Sequence, residues 1–334
     1  MVEVAAKRRV VVVGVGSIGR RHARLLSERE DVAVEVFEPA ADMLTLAERE
    51  LGPLVKHESF ELMLATQPDV AWICTPNPLH APQTVAALGA GCHVFCEKPM
   101  SNSLVGARRM KEAAEASGKI LNIGFVLHFV PALVRLKELI SGGALGQILH
   151  VHARAGMYVI LVNSLSRYQS REPGSLFLDY SHQPDLFYWL LGRAPRTIRV
   201  TGFQAGSLEF SSDPNVADIV CEYDDQLVVT LHVNYVQMPH RHEYEVVGDL
   251  GWAAVDLVSG EPRIGLRHEQ SVAVEKYPCE PDDLYRAEIE AFFATVAGER
   301  APETSAADGI ISTLVCEKSI EAWRTGERVE LNWR

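Results

Sequence analysis

The chain has 334 residues, is 47% hydrophobic and 23% charged, and carries a net charge of −12. That length exceeds what one hydrophobic core usually serves, so two domains are expected. The acidic balance argues against nucleic-acid or anionic-membrane partners, and no apolar run approaches the ~18–20 residues of a membrane span.

The opening Lys7-Arg8-Arg9 runs straight into an apolar strand and is not read as a signal peptide. Val10 to Val13 is a continuous β-branched run, as expected of a strand buried on both faces. It meets Gly14-Val15-Gly16-Ser17-Ile18-Gly19 and then a helical stretch, Arg20 to Glu30. A second strand, Val32 to Phe37, ends at Glu38-Pro39. Helices are expected over Ala41–Leu51 and Phe60–Thr66, and a third buried strand over Val70–Cys74, closed by Thr75-Pro76-Asn77-Pro78. Helix Leu79–Leu88 leads to the apolar run Val94-Phe95-Cys96, which stops at Glu97-Lys98-Pro99. Helix Leu104–Ser117 and strand Ile120–Ile123 follow. Strands alternating with helices imply a doubly wound parallel sheet, the Rossmann arrangement.

The rhythm changes near Gly124. A helix over Pro131–Ile140 and a strand over Ile148–Ala155 precede a stretch without period, Tyr158 to Gly174, read as a long functional loop. Helix Asp185–Leu191 stops at Gly192. Strands then dominate: Thr197–Phe203, Val216–Tyr223, Leu227–Val236, Glu243–Val247 and Trp252–Val258, before helices Asp283–Ala297 and Ala306–Thr325. This predicts an α/β chain with a Rossmann domain over 1–124. An α+β domain with a large, mostly antiparallel open sheet follows over 125–334, its final helix free to pack back on the first domain. Six cysteines, Cys74, Cys92, Cys96, Cys221, Cys279 and Cys316, form no Cys-x-x-Cys pair. They read as reduced and structural, which fits the cytoplasm, and no metal site is expected.

Gly14-x-Gly16-x-x-Gly19 between strand and helix, with an acid ending the next strand, is a dinucleotide-binding pattern. Gly14 makes the turn, Gly16 admits the pyrophosphate to the backbone, and Gly19 lets helix pack on strand. Ser17, Ile18 and Arg20 belong to the same cradle, with the pyrophosphate at the helix N-terminus. Glu38 is placed to accept from the adenosine ribose and to repel a 2′-phosphate, which favours NAD over NADP; Arg20 and Arg21 are the residues that could instead hold such a phosphate. Thr75, Pro76, Asn77 and Glu97 end strands at the same sheet edge, with His80 opening the next helix. These too, with Lys98, are assigned to the cofactor, although Pro-Asn-Pro is also ordinary turn chemistry and a lone His often packs or caps. A lysine just past a buried strand, as Lys98 is, can reach a bound substrate oxygen.

Asp179 and His182 stand three apart, a spacing that at the start of a helix puts both on one face. A carboxylate beside a histidine fixes its tautomer and raises its basicity, so His182 could take a proton from a hydroxyl. The competing reading makes Asp179 a helix cap and His182 a packed side chain.

Three segments together resemble the glucose–fructose oxidoreductase / inositol dehydrogenase / rhizopine catabolism (Gfo/Idh/MocA) oxidoreductase family. They are Gly14 to His22; Thr75 to His80 continuing through Gly91 to Glu97-Lys98-Pro99; and Gly174 through Asp179-x-x-His182 to Gly192. Glu245 to Gly251 resembles the family's mid-sheet turn. The resemblance implies a Rossmann domain followed by an open antiparallel sheet, with Lys98 as active-site lysine and Asp179 and His182 as the acid/base pair. It implies NAD(P)-dependent interconversion of a secondary alcohol and a ketone on a sugar, cyclitol, sugar derivative or nucleotide-sugar. Tyr158 and Tyr180 join Lys98, Asp179 and His182 as expected substrate contacts. Two other activities remain open: an NAD-using glycoside hydrolase of the same fold, and a non-catalytic nucleotide- or sugar-sensing regulator. The chain departs from the family in its i, i+3 step from Asp to His, where many members have i, i+4. It also has Val126 and His128-Phe129 where Asn and an Arg-Phe pair are common. Along Leu227–Val236, one face (Val229, Leu231, Val233, Tyr235) is expected to cover a core. The other (Val228, Thr230, His232, Asn234, Val236) is expected to meet another subunit of a homodimer or homotetramer.

Overall fold

The computed structural model describes residues 7–158, 173–206 and 212–332. They form two compact units, one of residues up to Val126 together with Pro281–Ile310, the other of Leu127–Glu280 with the chain from Ile311 on. The sequence boundary at 124 lies two residues from the first division. Residues 281–310, placed in the second domain on sequence, fall in the first unit.

The first unit holds a six-stranded sheet in the order β3-β2-β1-β4-β5-β6. The strands are β1 (Arg8–Val13), β2 (Val32–Phe37), β3 (Val55–Lys56), β4 (Val70–Ile73), β5 (His93–Glu97) and β6 (Leu121–Gly124), and every pairing is parallel. The valine run of β1 lies between β2 and β4 and is wholly buried. Val11 and Val13 face a core with Ile73, Cys96 and Met100, while Val10 and Val12 face one with Trp72 and Phe95. Crossovers are α1 (Ser17–Ser27), α2 (Ala41–Leu51), α3 (Phe60–Ala65), α4 (Asn77–Gly89) and α5 (Leu104–Ser117). The Ser59 and Ser103 hydroxyls cap α3 and α5 by accepting from Leu62 and Gly106 N–H, and Gly118, at φ +66°, closes α5 in the left-handed region. The second core explains why 281–310 belongs here. Ile289, Phe292 and Phe293, spaced along one helix face, pack against Val10, Val12, Trp72 and Phe95.

The second unit carries a nine-stranded sheet, β14-β13-β12-β11-β7-β10-β9-β8-β15. Its strands are β7 (Ile148–Gly156), β8 (Thr197–Phe203), β9 (Val216–Glu222), β10 (Val228–Asn234), β11 (Arg241–Gly248), β12 (Gly251–Asp256), β13 (Glu261–Leu266), β14 (Ala273–Val274) and β15 (Val329–Glu330). All pairs are antiparallel except β10 with β7. Helices α6 (Pro131–Ser141), α7 (Ser175–Asp179) and α8 (His182–Leu191) belong to this unit. Helices α9 (Pro281–Val296) and α10 (Ala306–Thr325) complete the chain, the second division falling within α10.

The alternation along β10 is as read: Val229, Leu231, Val233 and Tyr235 are buried, whereas Val228, Thr230, His232 and Val236 are half-buried. Asn234 differs, being buried against Gly156, where an added Cβ would lie 2.6 Å from its amide nitrogen. The other face is polar and internally bonded. His152 Nδ1 lies 2.7 Å from Thr230 Oγ1, and His232 Nδ1 lies 2.8 Å from Asp218 Oδ1. No helix among the described residues is long and apolar enough to cross a membrane.

Candidate active site

In the first unit the sheet order reverses between β1 and β4, and the glycine loop sits at that reversal. Gly14 has φ +90°, and a Cβ there would stand 3.0 Å from the Cys74 carbonyl carbon and oxygen at the end of β4. A Cβ on Gly19 would stand 2.0 Å from the Gly14 carbonyl oxygen. These two glycines are required by the fold itself. Gly16 is different: nothing lies within 4 Å of where its Cβ would be. It is the N-cap of α1, whose first turn has no side-chain cap and no acidic residue. Half-exposed backbone, open space and the positive end of a helix fit a pyrophosphate.

Glu38 follows β2 and braces the loop. Its two carboxylate oxygens accept from the Val15 and Ala40 main-chain N–H groups, each at 3.0 Å. Arg20 is buried; Nε donates to Glu50 Oε2 at 2.7 Å and Nη1 to the Val15 carbonyl at 3.1 Å. Arg21 lies 5.0 Å over the Tyr285 ring and 3.4 Å from Asp282 Oδ1. Both arginines therefore have partners of their own. Ser17 is exposed and Ile18 half-buried at the mouth of the loop.

At the β4 end, Thr75 Oγ1 donates to Gln83 Oε1 at 2.6 Å, Pro76 caps α4, and Asn77 is its half-buried first residue. His80 is only 1% exposed, with Nδ1 2.8 Å from the Pro99 carbonyl and Nε2 2.7 Å from the Thr75 carbonyl. Burial pushes this imidazole below its usual value. Its nitrogens are occupied by main chain, so it ties the end of β4 to the loop after β5.

Lys98 is half-buried just past β5, in front of a cis Lys98–Pro99 bond. Its main-chain N–H donates to Glu97 Oε2 at 3.1 Å. Glu97 is buried, and its other oxygen lies 2.8 Å from His22 Nε2. Both Glu97 oxygens are thus used within the unit, which makes it a brace for the Lys98 backbone.

In the second unit, Asp179 and His182 lie on two helices, not one. α7 ends at Asp179, Tyr180 leaves helical geometry at ψ 23°, and α8 begins at His182. Asp179 is buried and accepts from the Tyr235 hydroxyl, next after β10. Burial and then the Asp179 charge push the Tyr235 hydroxyl well above its usual value, so it stays a donor. The half-buried Tyr180 donates to the Asn234 carbonyl at 2.7 Å, and its hydroxyl is raised by the same two causes. Gln183, beside His182, accepts from Tyr244 OH at 2.7 Å and lies 2.9 Å from His242 Nε2. Asp185, one turn past His182, is 2.9 Å from His128 Nε2, and the His128 ring stacks on Trp189 at 4.5 Å. The family's common arginine position is thus filled by a buried histidine paired with the His182 helix. Of the long loop, Tyr158 is half-buried, its N–H on the Gln237 carbonyl at 3.1 Å, and residues 159–172 lie outside the described residues.

Sequence reasoning passed over three contributors: Tyr235, read only as core, and the pair His22 and Glu288 described below. His22 follows the last loop glycine by three, a spacing present in the sequence but given no role.

A family profile described as "Oxidoreductase family, NAD-binding Rossmann fold" matches residues 8–125, and one described as "GFO/IDH/MocA C-terminal domain" matches 133–254. An inositol 2-dehydrogenase of Salmonella paratyphi B is 27% identical over 330 residues, covering 96% of each chain. A 1,5-anhydro-D-fructose reductase of Ensifer adhaerens is 26% identical, over 79% of this chain and 80% of that one. A scyllo-inositol dehydrogenase of Lactobacillus casei, solved with NAD(H) and scyllo-inositol, superposes with a TM-score of 0.82 at 20% identity over 97% and 99% of the two chains, a likeness of fold.

Proposed function

Since this chain belongs to the Gfo/Idh/MocA oxidoreductase family, with its NAD-binding Rossmann domain, we propose that it interconverts a secondary alcohol and a ketone on a polyhydroxylated ring, a sugar or cyclitol. The relatives named for inositol and anhydrofructose support that substrate class. When bound, NAD supplies the hydride acceptor or donor. Gly14, Gly16 and Gly19 would hold its pyrophosphate, with Glu38 on the adenosine ribose. Lys98 donates a hydrogen bond to the reacting oxygen and stabilises developing negative charge. His182 takes the hydroxyl proton in oxidation and returns it in reduction, with Asp179 held by Tyr235.

The observation that carries the reading is Lys98 itself: a lysine beyond the carboxyl end of an inner parallel strand, its peptide pinned by Glu97. A screen of sugars, inositols and their keto forms against NAD(H) and NADP(H), followed by absorbance of the reduced nicotinamide, tests it. Steady net formation or consumption of NADH is expected. Glycoside cleavage without net NADH would support a hydrolase, and binding without turnover a sensor.

We also assign the outward sheet face to contact with a second copy. A depression of about 520 Å³ there is lined by both signs of charge, from His152, Arg154, Arg241, Glu243, Glu245 and Arg263. A self-complementary surface of this kind suits a two-fold contact. Light scattering at micromolar concentration should give a dimer or tetramer mass, and a monomer mass would refute it. All six cysteines are free, five of them buried, which is consistent with a reducing compartment such as the cytoplasm.

A further inference from the structure

Three ionisable side chains are buried together beneath the end of β5. His22 comes from α1, Glu97 ends β5, and Glu288 comes from α9; they are 0%, 7% and 2% exposed. One ligating atom from each lies within 4.8 Å of those of the other two. His22 Nε2 is 2.8 Å from Glu97 Oε1. The His22 ring is packed by Trp72, Phe95 and Tyr285, with centroids 5.3, 5.3 and 5.4 Å away, so its orientation is fixed. Glu97 is closed in on its other side by Gly124, where a Cβ would come within 3.1 Å of the carboxylate. Neither oxygen of Glu288 has a hydrogen-bond partner among the described residues.

Two carboxylates this close and this dry cannot both be charged without a large repulsion. The hydrogen bonds decide which keeps its charge. Glu97 accepts from Lys98 N–H and faces the His22 ring nitrogen. Glu288 has no such donor, so the proton belongs there. We propose that Glu288 is held as a neutral carboxylic acid and that, with His22, it keeps Glu97 as the single buried carboxylate that positions Lys98. Glu288, His22 and Glu97 are positioning residues; none touches the reacting atoms.

The surroundings agree. Burial, and then the Glu97 charge, push the Glu288 carboxyl well above the usual carboxylate range. The other titratable groups facing the cluster include Cys74 from the end of β4, Cys96 in β5, His80 from α4 and Tyr285 from α9. Burial first, and then the Glu97 charge, raises both the Cys74 thiol and the Tyr285 phenol, with Arg21 over the Tyr285 ring opposing.

The catalytic part of this inference rests on Lys98 binding the reacting oxygen; the protonation part does not, and the two are tested separately. For protonation, Glu288→Gln replaces a neutral acid by a neutral amide, and melting is followed from about pH 5 to 9. A group with a raised native value contributes stability below its unfolded value and loses it as pH rises, so wild type should weaken over this range more than the variant. The melting difference should therefore move in favour of Glu288→Gln as pH rises. Movement the other way would mean an ionised Glu288 and overturn the proposal. So would one equivalent of a divalent metal in the purified protein that Glu288→Gln lacks, because the cluster would then be a metal site.

For positioning, His22→Phe keeps the bulk among the three aromatic rings but removes the donor, whereas His22→Gln keeps an N–H. His22→Phe should lower kcat about tenfold to a hundredfold, with NAD affinity by calorimetry unchanged, and His22→Gln should recover part of the loss. Equal kcat in wild type, His22→Phe and His22→Gln would overturn it. If Lys98→Ala itself turns over like wild type, the functional reading fails, while the pH dependence of melting still decides the protonation of Glu288.

Discussion

The proposed cofactor preference rests on Glu38, which the structure also shows bracing the glycine loop, and a substitution separates the two roles. Its oxygens accept from Val15 and Ala40 N–H at 3.0 Å, so Glu38→Ala releases the glycine loop as well as any ribose contact. Hydrogen bonds to a charged group are worth roughly 1.5–3 kcal/mol when shielded. These are half-exposed and water replaces them in part, so the fold should lose about 1–2 kcal/mol in all. One charge-assisted contact to the ribose adds roughly 1.5–3 kcal/mol to NAD binding, about tenfold to a hundredfold in Kd. Glu38→Ala should therefore melt lower, bind NAD at least about tenfold more weakly, and bind NADP no worse than wild type. Glu38→Gln keeps an acceptor without the charge; it should restore part of the melting loss and still lose the preference. Calorimetric titration with both cofactors, beside thermal melts, reads all of this. A wild type preferring NADP by tenfold, about 1.4 kcal/mol, would refute the assignment. So would a Glu38→Ala protein with lower melting but unchanged NAD affinity, which would leave Glu38 a brace only. Arg20, already on Glu50 and the Val15 carbonyl, would have to give up both to bind a 2′-phosphate.

Lys98→Ala should cost about 10²–10³ in turnover, with Lys98→Arg recovering little because its planar fork is longer. His182→Ala should cost about 10²–10⁴ and flatten the acid limb of the oxidation profile; turnover within about threefold of wild type would dismiss it as the base. The loop glycines should separate by mechanism. Gly19→Ala meets the Gly14 carbonyl at 2.0 Å and should destabilise by about 1–3 kcal/mol or more. Gly16→Ala meets nothing within 4 Å and should melt like wild type yet lose NAD affinity by at least about tenfold. His242 is half-buried, and desolvation first, then the His240 charge, lowers it to about 4. The native state therefore binds fewer protons than the unfolded chain between about pH 4 and 6.5, and stability should fall by on the order of 3 kcal/mol as pH drops through that window. His242→Asn should flatten that fall in denaturant titrations.

The first sheet was legible because its signals are local. A run of four valines, three glycines at fixed spacing and an acid at the end of the next strand each report on a few adjacent residues. β13 escaped notice because Pro262 and Gly265 read as breakers, yet Pro262 pairs with Val255 and Gly265 with Trp252. The two-residue strands β3, β14 and β15 are too short to carry a period. The break between Asp179 and His182 was invisible for a different reason. Asp179-Tyr180-Ser181-His182 contains no Gly or Pro, and the contacts that flank the turn come from Tyr235 and the Asn234 carbonyl, over fifty residues on. His22, Glu97 and Glu288 are scattered along the chain in the same way, and only the packing of α9 on the Rossmann core brings the third to the other two.

The parallel pairing of β7 with β10 puts a long-range contact at the middle of the second sheet. Antiparallel neighbours can zip from a tight turn, but these two strands run the same way and are separated by residues 157–227. Residues 157–227, which include α7, α8, β8 and β9, form the loop that this pairing closes, and closing so large a loop is slow. Tyr235, which grips Asp179, is the residue immediately after β10. The carboxylate therefore meets its partner only where that long-range pairing has formed.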